Sequence, residues 1–209
     1  MSSSPGNTTT AACACGKVEL EMVGAPIIVV TCYCDCCQEG GHRIEALPNA
    51  PAVVDPDSGT PYIVFRKDRV RCSKGAALLK SLKLSEQSVT NRVIATCCNS
   101  AMFLNFDDSK HWVNVYRPRL RGTSPPLQIR ICTKFKATDQ PSPGDVPSYP
   151  GYPISLLARL RSISANRAGS KLAWEIRMTA AQRPHDDPSA TVTGVCCFTR
   201  SHYRRVRAR

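Results

Sequence analysis

Four cysteines stand within six residues in the segment Cys32-Tyr33-Cys34-Asp35-Cys36-Cys37. Side chains two residues apart on an extended chain point to the same side, so Cys32 and Cys34 can both reach one metal ion. Cys37 follows across a turn and can approach that ion from another direction. Three thiolates leave one position of a four-coordinate Zn²⁺ ion open, which is typical of catalytic zinc sites. The segment therefore predicts a catalytic zinc ion.

A second group of cysteines is spread along the chain. Cys13 and Cys15 precede Gly16, a residue that readily adopts the left-handed turn of a metal knuckle. Cys97 and Cys98 follow far downstream, and we expect them to complete a structural zinc site that contributes directly to folding. Because neighbouring side chains on an extended backbone point apart, we rank Cys98 ahead of Cys97 as a ligand.

Other residues in and near the motifs have two interpretations each. Asp35 is a candidate proton shuttle in the catalytic site, although an exposed aspartate in a turn is the more common role. Tyr33 is a candidate donor to a developing oxyanion, or an aromatic ring packed beside the metal. Cys36 and Cys72 have no assigned partner, and we expect both to behave as small buried side chains.

The amino-acid composition indicates what kind of protein this is and in which compartment it works. The chain has 209 residues and 42% hydrophobic residues, enough for one good core. It contains no apolar run of about 18 residues, so no membrane-spanning helix is expected. Twelve cysteines without an export signal indicate reduced, metal-bound thiols rather than disulfides, and hence a cytoplasmic protein.

The net charge of +12 is consistent with a nucleic acid as partner, but its distribution makes this interpretation the weaker one. The last ten residues hold five arginines, and a basic tail is usually a solvated end of the chain. A nucleic-acid partner is therefore possible and not favoured. The sequence carries no signal for an oligomeric state.

The elements that must position the cysteines are mostly strands. Alternation predicts a strand over residues 17–22, and a β-branched run predicts one over 27–31 that leads into the catalytic motif. We expect further strands over 62–65, 89–96, 101–106, 111–116 and 127–135, with 78–84 as a strand or a short helix. The proline-rich loop over residues 47–61 is either a lid facing the substrate or a surface loop.

The order of the motifs resembles one known family. Three motifs follow one another: Cys13-Ala14-Cys15-Gly16-Lys17-Val18, the C-x-C-x-x-C run, and a late pair of cysteines. This order is similar to that of the glutathione-dependent formaldehyde-activating enzyme family, which shares its domain with centromere protein V. The resemblance covers about residues 11–120. The chain departs from the usual family pattern at two positions of the late motif, where Ala95 replaces a cysteine and Asn99 replaces a glycine. It is nearest to a subgroup with a C-C-N-[ST] knuckle. Tyr33 also stands where histidine is common.

The resemblance implies a mainly β fold of small antiparallel sheets in a tent-like arrangement around two zinc sites, one structural and one catalytic. It implies that the structural ion is held by Cys13, Cys15 and Cys98, with Cys97 as the compensating ligand. It implies that the catalytic ion is held by Cys32, Cys34 and Cys37. The implied activity is that of a carbon–sulfur lyase acting on a glutathione, or similar thiol, adduct of a small aldehyde such as formaldehyde.

The predicted organisation has five parts. They are a disordered leader (1–10), a zinc-binding β domain (11–135), a proline-rich linker (136–153), a helical appendage packed on the core (154–178) and a basic disordered tail (179–209). Two alternatives to the enzyme remain. One is a zinc-stabilised binding module that uses the tail for nucleic acid or chromatin, and the other is a structural zinc protein with both sites closed.

Overall fold

The computed structural model describes residues 8–108, 110–137 and 141–165. Within these ranges the chain forms ten strands and two α-helices. The strands are β1 (Thr8–Ala12), β2 (Glu19–Val23), β3 (Ile28–Cys32), β4 (Thr60–Arg66), β5 (Val70–Lys74), β6 (Leu79–Leu82), β7 (Thr90–Ala95), β8 (Ser100–Phe106), β9 (Trp112–Tyr116) and β10 (Ile129–Ile131). The helices are α1 (Asp35–Glu45) and α2 (Ile154–Ala165). The prediction of a mainly β fold with a C-terminal helix is confirmed.

The strands form two sheets. Seven strands pair in the order β10-β3-β4-β9-β8-β7-β6, and a second sheet has the order β1-β2-β5. Neighbouring strands run antiparallel except β10 and β3, which run parallel and set Ile131 beside Cys32. The larger sheet therefore brings a late segment of the chain next to the catalytic motif.

The core lies on both faces of the larger sheet. In β3, Val29 packs in one apolar cluster, whereas Ile28 and Val30 pack in the other, as the alternation of a strand requires. Strands that are covered on both faces have nearly continuous apolar sequences, which explains why every residue of β3 is buried. The two cysteine groups belong to different clusters, so they lie on opposite faces of this sheet.

Two elements differ from the sequence expectation near the N-terminus. Strand β1 begins at Thr8, inside the predicted leader, because its β-branched threonines pair with the edge of β2. Helix α1 was not predicted, since Gly40 and Gly41 read as a break in the chain. In the structure these two glycines are buried where the helix packs closely against Arg92 and Val54, so their small size serves packing rather than a turn.

The segment predicted as a linker is held against the sheet where the structure describes it. The backbone N–H of Arg130 donates to Pro147 at 2.9 Å, and Tyr149 donates back to Arg130 at 2.9 Å. The Arg130 Nη1 atom also lies 2.7 Å from a carboxylate oxygen of Asp145. Ser148 thus forms one isolated parallel bridge with Arg130 of β10, and the bounds of the linker stay a prediction.

The C-terminal helix packs on the same side of the sheet as α1. Leu156 and Leu160 of α2 are buried in the apolar cluster that contains the catalytic motif. Among the described residues, no helix is long and apolar enough to cross a membrane. The remainder of the predicted appendage, residues 166–178, and the predicted tail, residues 179–209, lie outside the described residues.

Candidate metal centres and the cavity beside them

The first cysteine cluster joins the beginning of the domain to the turn between β7 and β8. The Sγ atom of Cys13 lies 3.6 Å from that of Cys15 and 3.8 Å from that of Cys97. The Cys97 Sγ atom lies 3.3 Å from Cys15 and 3.9 Å from Cys98. All four sulfur atoms lie within 4.8 Å of one another. The structure thus brings together all four residues that the sequence nominates for the structural site.

Two left-handed turns produce this convergence. Gly16 has a φ of +72°, and its N–H donates to Cys13 at 3.0 Å, which closes the first knuckle as predicted. Asn99 has a φ of +51° and takes the place of a glycine in the second knuckle. The expectation that Cys97 and Cys98 point apart assumed an extended backbone, whereas both lie in a turn and face the same site.

Cys97 and Cys98 differ in their pKa values. Burial favours the neutral form of Cys98, yet hydrogen bonds from Ser100 and Cys15 outweigh it and lower the pKa of Cys98 to about 6. Burial and contacts with Cys15 and Cys13 raise the pKa of Cys97 to about 12. The cluster therefore already stabilises one thiolate, the form that binds a metal.

The spacing of these sulfur atoms fits a metal ion. A tetrahedral ion with metal–sulfur bonds of about 2.3 Å separates its sulfur ligands by about 3.8 Å. The four Sγ–Sγ distances given above run from 3.3 to 3.9 Å. Four thiols in this arrangement suit a soft ion such as Zn²⁺, and they can close its coordination sphere.

The second cluster contains Cys32, Cys34 and Cys37, whose sulfur atoms lie within 4.8 Å of one another. Cys32 ends β3, Cys34 caps α1, and Cys37 lies in the first turn of that helix. The N–H of Cys37 donates to the carbonyl of Cys34 at 2.8 Å, which bends the chain so that all three thiols converge. All three are buried. The positive end of the helix dipole lies at the same place and favours thiolates there.

Neighbouring groups also favour negative charge in the second cluster. Hydrogen bonds from Cys32 and Cys34 lower the pKa of Cys37, and the positive charge of Arg92 acts in the same direction. Arg92 is buried, and one of its nitrogens donates to the carbonyl oxygen of Cys36. A buried guanidinium beside three thiols offsets part of the negative charge that three thiolates would carry.

A cavity of about 40 Å³ lies beside the second cluster. Its walls are mostly apolar side chains of β3, β8 and β9, and its polar groups include Arg92, Asn114 and Tyr62. Tyr152, Leu156 and Leu160, at the start of α2 and on it, line the cavity from the other side. Cys32, Cys34 and Cys37 thus line a mostly apolar cavity.

The sequence analysis missed one cysteine at this site. Cys132 follows β10, is 1% exposed and has a φ of +59°. Its thiol contacts that of Cys32, and this contact is the largest cause that raises the pKa of Cys32. The parallel pairing of β10 with β3 produces the contact, and a cysteine without a spaced partner in the sequence gave no signal for it.

The other nominated residues lie elsewhere. Asp35 is exposed at the start of α1 and is not among the residues that line the cavity. Its part in proton transfer stays a prediction. The Tyr33 hydroxyl donates to Asp57 at 2.6 Å, which anchors the ring as a packed aromatic. Cys36 is buried and lines the cavity, whereas Cys72 is half-buried on β5 and donates to Lys74 at 3.1 Å.

The proline-rich loop over residues 47–61 packs against α1. The Glu45 carboxylate accepts hydrogen bonds from the N–H groups of Val53 and Val54, at 2.7 and 2.8 Å. No residue of the loop is among those that line the cavity. The loop therefore lies against α1, with Val53 buried, and the cavity is lined by α2 instead.

Comparison with known proteins supports the resemblance indicated by the motifs. Residues 8–47 match the family model described as "Glutathione-dependent formaldehyde-activating enzyme", which confirms the resemblance over the segment that holds Cys13, Cys15 and the second cluster. A crystal structure of a Rhodobacter sphaeroides protein is 17% identical, with a TM-score of 0.41, and the similarity covers 66% of this chain and 98% of that one. No curated protein matches the chain.

Proposed function

We propose, from the match of residues 8–47 to the glutathione-dependent formaldehyde-activating enzyme family, that the chain is a zinc-dependent carbon–sulfur lyase. Its substrate would be an adduct between glutathione, or a similar thiol, and a small aldehyde such as formaldehyde. One zinc ion would be structural and the other catalytic. We also propose that it works in the cytoplasm, where thiols stay reduced.

The observation that carries the proposal is the convergence of Cys32, Cys34 and Cys37 beside a mostly apolar cavity. The three residues would hold an ion that supplies Lewis acidity and lowers the pKa of a substrate thiol bound to it. Three thiolates on Zn²⁺ carry a net charge of −1, which favours soft sulfur over the activation of water. The positive charge of Arg92 near Cys37 supports a thiolate-rich site of this kind.

The reaction needs few further groups. In the direction of adduct formation, the substrate sulfur bonds to the carbonyl carbon, the carbonyl π pair moves to oxygen, and that oxygen receives the proton the thiol gave up. Cleavage reverses each change. Tyr62 lines the cavity, and its buried hydroxyl has no hydrogen-bond partner among the described residues, so it is a candidate to hold a proton near the reacting atoms. The apolar walls exclude water and strengthen these interactions.

The size of the cavity limits what it receives. One enclosed water needs about 10–15 Å³ of such volume, so a cavity of about 40 Å³ accepts roughly three non-hydrogen atoms. A hydroxymethyl thioether presents sulfur, carbon and oxygen at its reacting end. That end fits the cavity, and the rest of a glutathione molecule would have to extend past α2.

The proposal is tested with zinc-loaded protein, formaldehyde and glutathione. Exchange NMR measures how fast the free thiol and its hydroxymethyl adduct interconvert, relative to the uncatalysed reaction in buffer. We expect acceleration with the wild type and with the control Cys72→Ser, and the background rate with Cys37→Ser. A wild-type protein that does not accelerate the exchange would overturn the proposed activity.

A further inference from the structure

Two polar side chains line the mostly apolar cavity beside the second cluster and have an atom with no hydrogen-bond partner among the described residues. They are Tyr62 of β4, which is 1% exposed, and Asn114 of β9. The unpartnered atoms are the Tyr62 hydroxyl and the Asn114 Oδ1 atom, and both are shielded from solvent. Such atoms are rare in folded proteins, because losing water without gaining a hydrogen bond costs free energy. A ligand that hydrogen-bonds to both would remove this cost.

The larger sheet brings the two side chains to the same face. Asn114 pairs with Val64 on β4 and with Leu104 on β8, and Tyr62 lies two residues before Val64 on its strand. Tyr62 and Asn114 are therefore diagonal neighbours on adjacent strands. Diagonal neighbours lie about 7–8 Å apart, within reach of an aromatic side chain. One small ligand in the cavity can thus contact both residues.

The position of Asn114 favours an apolar residue. Asn114 lies in the middle of β9, an internal strand, and its paired neighbours Val64 and Leu104 are both buried and apolar. Asparagine is depleted in strands, and its amide gains nothing from an apolar neighbour. Leucine would suit this position without leaving a buried polar atom unpaired, so the amide group is what distinguishes the residue that stands there.

We propose that Tyr62 and Asn114 bind the hydroxyl group of the thiol adduct, and that they make the site specific for adducts with a hydroxyl on the carbon next to sulfur. This inference rests on the proposed function. The three thiols of the second cluster line the same cavity, whose volume of about 40 Å³ accepts roughly three non-hydrogen atoms. With the substrate sulfur at those thiols, the hydroxyl oxygen is the atom that reaches the two polar side chains.

A hydroxyl group matches this pair because it is both a donor and an acceptor. It can donate to the Asn114 Oδ1 atom and accept from the Tyr62 hydroxyl at the same time. A carboxylate offers acceptors alone, so it would leave the Oδ1 atom unpaired. A simple alkyl thioether would leave both groups unpaired, and a site built to hydrogen-bond a hydroxyl rejects an analogue that lacks it for this reason.

The test compares two ligands of nearly equal size, the hydroxymethyl adduct of glutathione and S-ethylglutathione, in which a methyl group replaces the hydroxyl. Exchange NMR on zinc-loaded protein gives KM for the adduct. Calorimetry gives the Kd of S-ethylglutathione, a measurement that does not depend on turnover. Tyr62→Phe and Asn114→Leu remove the two polar atoms and keep the approximate volume. Tyr62→Phe loses only a hydroxyl, so it guards against misfolding of Asn114→Leu.

Two control variants make similar changes away from the cavity. Asn105→Leu, on β8, removes another buried Oδ1 atom, and Thr60→Val, on β4, removes another buried hydroxyl. Within the described part of the chain, neither of these atoms has a hydrogen-bond partner. Neither residue is among those that line the cavity. A general effect of removing a buried polar atom would therefore appear in the controls as well.

We expect KM for the adduct to rise and the Kd of S-ethylglutathione to fall in both Tyr62→Phe and Asn114→Leu. The ratio of this Kd to KM should fall by roughly tenfold in each variant, the usual effect of one hydrogen bond to a buried group. Both controls should keep the wild-type ratio. An unchanged ratio in the two cavity variants, or an equal fall in the controls, would overturn this inference alone. A wild type that does not accelerate the exchange would overturn the proposed function and this inference with it.

Discussion

The Sγ atoms of Cys15 and Cys97 lie 3.3 Å apart, although 82 residues separate the two cysteines. The contact joins the knuckle after β1 to the turn between β7 and β8, and thus connects the smaller sheet to the larger one. A metal ion at this point would reinforce the apolar packing between these elements and the hydrogen bond from the Ala14 N–H to the Ser100 hydroxyl, at 3.0 Å. Such an ion contributes its binding free energy to folding.

Replacement of Cys97 by serine should remove the structural ion and destabilise the protein. Loss of a metal site is among the few single changes that cost about 4 kcal/mol or more in unfolding free energy. Urea unfolding with zinc present measures the effect, and Cys72→Ser, on β5 outside both clusters, is the control. If Cys97→Ser unfolded at the wild-type urea concentration, the assignment of Cys97 as a ligand would be wrong.

Asn99 should tolerate glycine better than alanine. Its φ of +51° is accessible to glycine without strain, whereas alanine loses about 1 kcal/mol there. Both variants lose the hydrogen bond from the Asn99 side chain to the carbonyl of Pro48, at 2.9 Å. The difference in stability between the two variants therefore measures the cost of the positive φ alone. Thermal unfolding measures the difference, and equal midpoints for the two variants would argue against a left-handed Asn99.

Glu45 should make the stability of the protein depend on pH. Burial opposes ionisation of Glu45, but hydrogen bonds from Val54 and Val53 outweigh it and lower the pKa of the carboxyl below 4.5. A carboxyl with a lowered pKa in the folded state stabilises the protein above the unfolded pKa, and the contribution is lost as pH falls through the folded value.

The variant Glu45→Gln tests this contribution. At pH 7 it should lower the unfolding free energy by about 1 kcal/mol, because the amide accepts hydrogen bonds less strongly than a carboxylate. The loss should shrink as pH falls below about 4.5 and the wild-type carboxyl becomes neutral. Metal ligands also take up protons in acid, but they do so in both proteins. The difference in unfolding free energy between wild type and Glu45→Gln therefore reports on Glu45 alone. A difference that stays constant from pH 7 to pH 3 would contradict the prediction.

Leu156 should restrict the size of the aldehyde, since it is buried on α2 and lines the cavity. Leu156→Ala enlarges the site, so kcat/KM for the acetaldehyde adduct should rise relative to the formaldehyde adduct by roughly tenfold, the usual effect of one methylene in an apolar pocket. Ile154→Ala is the matched control, because Ile154 begins the same helix and is 84% exposed. An unchanged ratio in Leu156→Ala would show that α2 does not limit the substrate.

The features predicted correctly from the sequence are those determined by residues close together along the chain. The spacing of Cys32, Cys34 and Cys37 on a strand followed by a turn was enough to bring three sulfur atoms together, and Gly16 identified its own left-handed turn. Apolar alternation and β-branched runs likewise located most of the strands that support these sites.

The parts that were not predicted depend on contacts between distant segments. Cys132 reaches Cys32 only because β10 pairs in parallel with β3, a pairing that has no signature in either segment. Gly40 and Gly41 read as a chain break because their role, close packing against Arg92 and Val54, depends on residues elsewhere in the fold. The sulfurs of Cys97 and Cys98 converge because the chain turns between β7 and β8, where an extended backbone had been assumed.

The most direct test of the account is the zinc content of purified protein, measured per chain by elemental analysis on wild type and Cys34→Ser. We predict two zinc ions in the wild type and one in Cys34→Ser, with the structural ion at Cys13, Cys15, Cys97 and Cys98 retained and the fold intact. A Cys34→Ser protein with the same zinc content as the wild type, and unchanged binding of glutathione, would contradict the assignment of the catalytic site.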